Sequence, residues 1–208
     1  MTVTPGRRRY TMSARADAVA RTRQQIIEAA AARIRASAAP LTLLDVAARA
    51  GVSRATLYRH FASVTALLDA VAADLLARAR FDRLLAALED PDPVQALRDV
   101  VVAGTGIWAA DTTLVRNLLA VASAQPEAVP IIAQLERGRL AAVERLADRL
   151  HRAGRLRNGL TRAQAVDLLL VITAFTAWDE LRTARHRSPA AATAAIAGLA
   201  HRAVVADG

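Results

Sequence analysis

Thr42-Leu43-Leu44-Asp45-Val46-Ala47-Ala48-Arg49-Ala50-Gly51-Val52-Ser53-Arg54-Ala55-Thr56-Leu57-Tyr58-Arg59-His60-Phe61 reads as two short helices joined by a tight turn. Val46, Leu57 and Phe61 recur at helical spacing and must face inward to hold the two helices together. Ala47 falls where the helices cross, and its small side chain lets the backbones approach. Gly51 sits where the first helix has to reverse, a place where a left-handed conformation costs glycine little. Val52 then plugs the core, and Ser53 is placed to cap the second helix. A small residue, a glycine four positions later and an apolar residue six beyond that make helix-turn-helix spacing with suitable chemistry at each step.

If Leu57 and Phe61 point inward, Arg54, Ala55, Tyr58 and Arg59 point outward at about 100° per residue. An exposed tyrosine between arginines on a short helix suits the major groove of DNA. Tyr and His can bond phosphates or stack on sugars, Arg can fork onto guanine, and Ala55 can touch a thymine methyl. The competing assignment packs Tyr58 and His60 against the first helix.

Upstream of this pair, Thr22-Arg23-Gln24-Gln25 has the form of a capping box. Ile27, Ala30 and Ile34 then mark a first amphipathic helix that ends before Pro40. Residues 1–20 are Arg-rich and aperiodic and read as a basic, flexible arm. Asp45 is placed to help cap the helix that Thr42 opens. Downstream, Ser63 starts a fourth helix expected to reach about residue 87. Asp92-Pro93 starts a fifth, running to about Ala110, and a sixth covers about Thr113 to Ala122. The seventh begins at Pro126, carries the stripe Ile132, Leu135, Arg139, Val143, Leu146 and Leu150, and stops at Gly154. Thr161 with Gln164 opens an eighth helix to about Thr183, and Ser188-Pro189 the last, Pro189 to Val205. The expectation is an all-α protein of about nine helices. It divides into an arm (1–20), a three-helix DNA-binding domain (21–66, with the fourth helix as connector) and a larger C-terminal domain (67–208).

Composition agrees. Hydrophobic residues make up 54%, with alanine the commonest, whereas aromatics are 3%; alanine is the strongest helix former, so close-packed helices are expected rather than sheet. There is no cysteine, which excludes disulfides and thiolate chemistry. The four histidines show no metal-ligand spacing, and no nucleophile elbow, phosphate loop or cofactor fingerprint is present. No enzyme, metal or cofactor is therefore expected. The apolar run Leu168 to Trp178 is eleven residues, short of the ~18–20 that span a bilayer. With no signal-like opening segment, the expectation is a cytoplasmic protein with no membrane partner. Of the formal net charge of +9, residues 1–62 hold +8, with eleven Arg against three acids; the other 146 residues carry seventeen against sixteen. A polyanion-binding module joined to a near-neutral partner domain accounts for that asymmetry. Every one of the 28 basic residues is Arg, in both halves, so the preference is read as coding bias.

The Thr42–Phe61 stretch, with the helix before it and Ala66-Leu67-Leu68 after it, resembles the DNA-binding signature of the tetracycline-repressor (TetR) family over residues 22–72. The resemblance implies an all-helical homodimer on a palindromic operator, released when a small molecule occupies the C-terminal domain. An activator or architectural DNA-binding protein of the same fold, without an inducer, is the alternative. Carried over residue by residue, the resemblance places Ser53, Arg54, Thr56, Tyr58 and His60 at the DNA surface and Thr42 at a flanking phosphate. One position departs: the fourth helix commonly opens with a phosphate-gripping lysine, and here that residue is Val64. The Arg7-Arg8-Arg9 cluster of the arm is a candidate substitute.

The resemblance also places the dimer interface on the last two helices, and the sequence suits it. The eighth is rich in Leu, Val, Ile and Phe, and the ninth lines up Ala190, Ala191, Ala194, Ala195 and Ala197, small enough for near contact in a four-helix bundle. For an effector pocket the candidates are the aromatics Trp108, Phe175 and Trp178 and the polar Arg116, Asn117 and Asp179. Each of these reads equally as core filler or solvated face.

Overall fold

Between Gly6 and Ala20 nothing breaks the backbone, and Arg and Ala are the commonest residues; such a run propagates helix without an amphipathic stripe to announce it. The computed structural model describes residues 6–206, with side chains from residue 15. Helix α1 occupies Gly6–Ala36. The expected aperiodic arm is therefore corrected: residues 6–20 are helical, and residues 1–5 lie outside the described residues. Thr22 is correspondingly no N-cap, since its hydroxyl donates to the Ala18 carbonyl of the preceding turn at 3.0 Å.

Eleven α-helices and one 3-10 turn follow one another among the described residues. After α1 come α2 (Leu43–Ala50), α3 (Arg54–His60), α4 (Val64–Arg78), α5 (Phe81–Leu88), α6 (Pro93–Ala110), α7 (Thr112–Ala124), the 3-10 turn (Pro126–Ala128), α8 (Val129–Arg152), α9 (Arg162–Ile172), α10 (Phe175–Thr183) and α11 (Pro189–Val204). No strand occurs among these residues, only an isolated antiparallel bridge between Leu156 and Val205.

The count exceeds nine because two expected helices are each broken once. The fourth stops at Arg78, and Arg80 takes a left-handed φ of 58° before α5 begins. There its guanidinium donates to the Asp82 carboxylate at 3.2 Å from both Nε and Nη2. That hydrogen bond, followed by the charge of Arg80, holds the Asp82 carboxyl below its ordinary range despite the opposing effect of desolvation. The eighth breaks at Thr173, whose hydroxyl donates to the Leu169 carbonyl at 2.6 Å. Ala174 is then extended, and the chain restarts as α10 with Trp178 fully buried. Hydrophobic periodicity runs through both breaks, so it could not disclose them. Unlike the start expected at Thr22, three later starts with side-chain chemistry of their own are as expected. Asp92 accepts from the Val94 N–H with Pro93 behind it, Thr161 and Gln164 form a reciprocal capping box, and Ser188 accepts from the Ala191 N–H.

The helices fall into two compact units. Among the described residues the first joins 6–74 to 116–131; α1 packs on α2 and α2 on α3. Ile26, Ile34, Leu41, Val46, Leu57, Phe61, Leu67 and Leu68 are among its buried large side chains. The second joins residues 75–115 to 132–206. Its core is built from α5, α6, α8, α9, α10 and α11, with Leu97, Leu146, Leu150, Leu169 and Trp178 fully or almost fully buried. One fixed polar chain runs through that core. The Trp178 indole N–H donates to the Thr193 hydroxyl at 3.2 Å, which donates to the Thr105 hydroxyl at 3.0 Å, which donates to the Val101 carbonyl at 2.9 Å.

Candidate nucleic-acid interface

The two-helix device is built as its residues demand. Thr42 is extended and accepts from the Asp45 N–H at 3.1 Å, which starts α2. Val46 is fully buried and Ala47 nearly so. Gly51 ends the helix at φ 64°, and its N–H and that of Val52 reach back to the Ala48 and Ala47 carbonyls. Nothing lies within 4 Å of where a β-carbon would sit on Gly51. Conformation alone, not space, therefore requires glycine there. Ser53 then accepts from the Thr56 N–H at 3.1 Å and donates to the Thr56 hydroxyl at 3.0 Å, opening α3.

With Leu57 and Phe61 turned into the core, α3 presents Arg54, Ala55, Tyr58 and Arg59 to solvent. Tyr58 is 43% exposed, so it is not a core residue of this unit. The Arg54 guanidinium carbon lies 5.3 Å from the Tyr58 ring centroid. That contact holds a cation and a phenol side by side. Thr42 and Ser53 are exposed, Thr56 and His60 half-buried. Thr56 and His60 are thus the members of the predicted set less open to a ligand.

Thr42 and Tyr58 also share a shallow groove with Leu44, Val64 and Glu127 among its other walls. Val64 is there in place of a cation, and Glu127, exposed, brings a negative charge from a distant part of the sequence. No sequence signal marks Glu127, because only the fold brings residues 125–127 against the start of α2. Gln25 has the place of a capping-box glutamine in the sequence, but its amide instead donates to the Ala50 carbonyl at 2.7 Å and closes the end of α2, and Arg23 lies 5.1 Å from the Phe61 ring. Among the described residues six arginines of the 15–62 segment are exposed: Arg15, Arg21, Arg23, Arg49, Arg54 and Arg59. The side chains of Arg7, Arg8 and Arg9 lie outside the described residues.

The predicted effector residues divide between the units. Arg116 and Asn117 belong to the first, where the Asn117 amide donates to the Ile34 and Arg35 carbonyls at 2.8 and 3.1 Å and so caps the end of α1. Trp108, Phe175, Trp178 and Asp179 belong to the second. There the three aromatic rings form one cluster with centroids 5.9 to 6.4 Å apart. Trp178 is its closed centre, whereas Trp108, Phe175 and Asp179 are half-buried. Among the described residues no group of three His, Asp or Glu could hold a metal, and no single helix is long and apolar enough to cross a membrane.

One substitution tests the helix phase. Tyr58→Ala should weaken duplex DNA binding by on the order of 1–3 kcal/mol while helicity and melting stay within error. A variant that unfolds but keeps its affinity when folded would place Tyr58 in the core and shift the helix phase by a residue.

Residues 26–71 match the family model described as bacterial regulatory proteins, tetR family. No curated protein matches the chain by sequence. Several solved structures share its fold. FadR of Bacillus subtilis, in complex with stearoyl-CoA, superposes with a TM-score of 0.69 at 17% identity over 86% of this chain and 98% of that one. The SmeT–triclosan complex gives 0.69 at 21% identity over 90% and 93%. NalD, the secondary repressor of the MexAB-OprM multidrug efflux pump in Pseudomonas aeruginosa, gives 0.66 at 20% identity over 90% and 97%.

Proposed function

We propose that this chain, built on a tetR-family helix-turn-helix at residues 26–71, is a transcriptional regulator. In this reading it binds a palindromic operator as a homodimer and leaves it when a small molecule occupies the second unit. The observation that carries the reading is the outward face of α3, where Arg54, Tyr58 and Arg59 stand exposed on a helix whose other face is locked by Leu57 and by Phe61, its C-cap. Such a face has donors for phosphate and base edges. The charge distribution supports the same reading, as does the absence of any constellation for catalysis in the sequence. A cytoplasmic site of action follows from it.

For the dimer we take α9, α10 and α11. Val171 on α9 is 72% exposed and Leu199 on α11 46% exposed, while Ala191 and Ala194 present small side chains on the solvent side of α11. Large apolar groups left in water beside small ones are what a helix-to-helix interface covers. For the effector we take the half-buried Trp108 and Phe175 as walls. The names of two structural neighbours include an acyl-CoA and triclosan, both with extensive apolar surface that aromatic walls accommodate.

Selection of duplexes from a random-sequence pool by the full chain tests the proposal. The expected product is an inverted repeat with half-sites about one helical turn apart. In parallel, light scattering should give twice the chain mass for the wild type and a monomer for Leu199→Arg, which should lose the inverted-repeat preference as well. Enrichment of no sequence, or a monomeric wild type at micromolar concentration, would overturn it.

A further inference from the structure

The three helices of the DNA-reading head are held in part from outside their own sequence. Leu41, immediately before the N-cap of α2, is 2% exposed, and its peptide groups precede the helix, where no ladder can pair them. Both are paired by one side chain 84 positions away. The Leu41 N–H donates to Gln125 Oε1 at 2.8 Å, and Gln125 Nε2 donates to the Leu41 carbonyl at 3.0 Å. Gln125 is itself 8% exposed. This is a buried, two-point amide clamp of the kind one β-strand makes on another. The same corner makes two further ties: the Thr65 hydroxyl of α4 donates to the Glu127 carbonyl at 3.0 Å, and Asn117 caps α1. One segment thus fixes the end of α1, the start of α2 and the start of α4, all within the first unit.

We infer that Gln125 is a positioning residue for the DNA-reading surface: by clamping the Leu41 peptide it sets Thr42, the exposed N-cap of α2. The inference rests on the DNA-binding reading above. Glutamine is suited to the task because its amide offers a donor and an acceptor in one plane. An apolar residue of similar size would fill the space and leave both Leu41 groups buried and unpaired, which costs far more than a lost exposed bond.

The test is a double-mutant cycle in the full chain, with the duplex that the wild type enriches as probe. Gln125→Leu should lower affinity on the order of tenfold, from two stranded peptide groups, and Thr42→Ala should lower it several-fold. If Gln125 acts through Thr42, the double variant should lie within about twofold of Gln125→Leu alone, because coupled sites are not additive. A Gln125 that only stabilises the fold gives effects that multiply, and that result, or an unchanged affinity for Gln125→Leu, overturns the inference. Should Gln125→Leu fail to fold, Gln125→Glu carries the same cycle, since it keeps the shape and an acceptor for the Leu41 N–H while losing the donor to the carbonyl. A wild type that binds no duplex sinks the regulator reading, yet the clamp stays testable without DNA. The Leu41 amide should exchange as slowly as those of α1 around Ile26 and Ile27, and exchange at the rate of an open loop overturns it.

Discussion

Raising the salt from about 50 to 200 mM should weaken duplex binding roughly 10³-fold, because each phosphate neutralised by the protein releases condensed counterions. Six arginines of the 15–62 segment are exposed, and a dimer presents two such heads. If about six phosphates are neutralised in all, log affinity falls with log salt at a slope near −5, and a fourfold rise in salt costs about three decades. Residues 63–208 add little net charge, since their seventeen arginines are matched by sixteen acids. Two features at the groove beside Tyr58 work the other way: Val64 supplies no cation, and Glu127 adds a negative charge. Glu127→Gln should therefore tighten binding slightly and Val64→Lys more so, each most clearly at low salt. Removal of residues 1–15, which takes away Arg7, Arg8, Arg9 and Arg15, should flatten the slope if the basic N-terminus supplies the missing contact. Titrations of one duplex at four salt concentrations measure all of this. A slope shallower than about −2 would mean that phosphate contacts are few and that the charge asymmetry has another purpose.

Features with chemistry local to the chain are legible in the amino-acid sequence alone. Gly51, Ser53, Asp92, Thr161 and Ser188 act within three residues of themselves, by a left-handed φ or a cap bond, so their spacing discloses them. The phase of α3 is legible for the same reason: Leu57 and Phe61 are four apart, and Tyr58 must then face out. Long-range ties leave no such trace. Gln125 on Leu41, Asn117 on α1 and Gln25 on Ala50 join residues 25 to 84 positions apart, and each looks like an ordinary polar residue in its own helix or turn. By its residue type and neighbours Asn117 suits an effector pocket, although its amide closes the end of α1. The helical state of residues 6–20 is hidden for another reason: a polar, Arg- and Ala-rich segment can be helical without any periodicity to mark it.

The break between α9 and α10 has the largest energetic consequence. Trp178→Ala should destabilise the protein by about 3–5 kcal/mol, the range for deleting a fully buried large aromatic. A continuous helix through Thr173 would carry Trp178 on a different heading; the extended Ala174 re-aims it so that the ring is fully buried, 6.0 Å from Trp108 and 6.4 Å from Phe175. Ring deletion loses that packing and leaves a cavity that the α6, α10 and α11 side chains can only partly fill. It also removes the donor to Thr193. The polar part of the effect is separable, because Thr193→Val keeps the ring and the volume but strands the indole N–H, for an expected cost of about 1–3 kcal/mol. Urea unfolding followed by near-ultraviolet circular dichroism, in which tryptophan dominates, measures both variants. In thermal melts Trp178→Ala should lower the midpoint by about 10 °C, at roughly 2–4 °C per kcal/mol for a chain of this size. A loss below about 1 kcal/mol would mean the site collapses around the missing ring. In that event Trp178 would be a replaceable wall of the second unit, not the centre of its core.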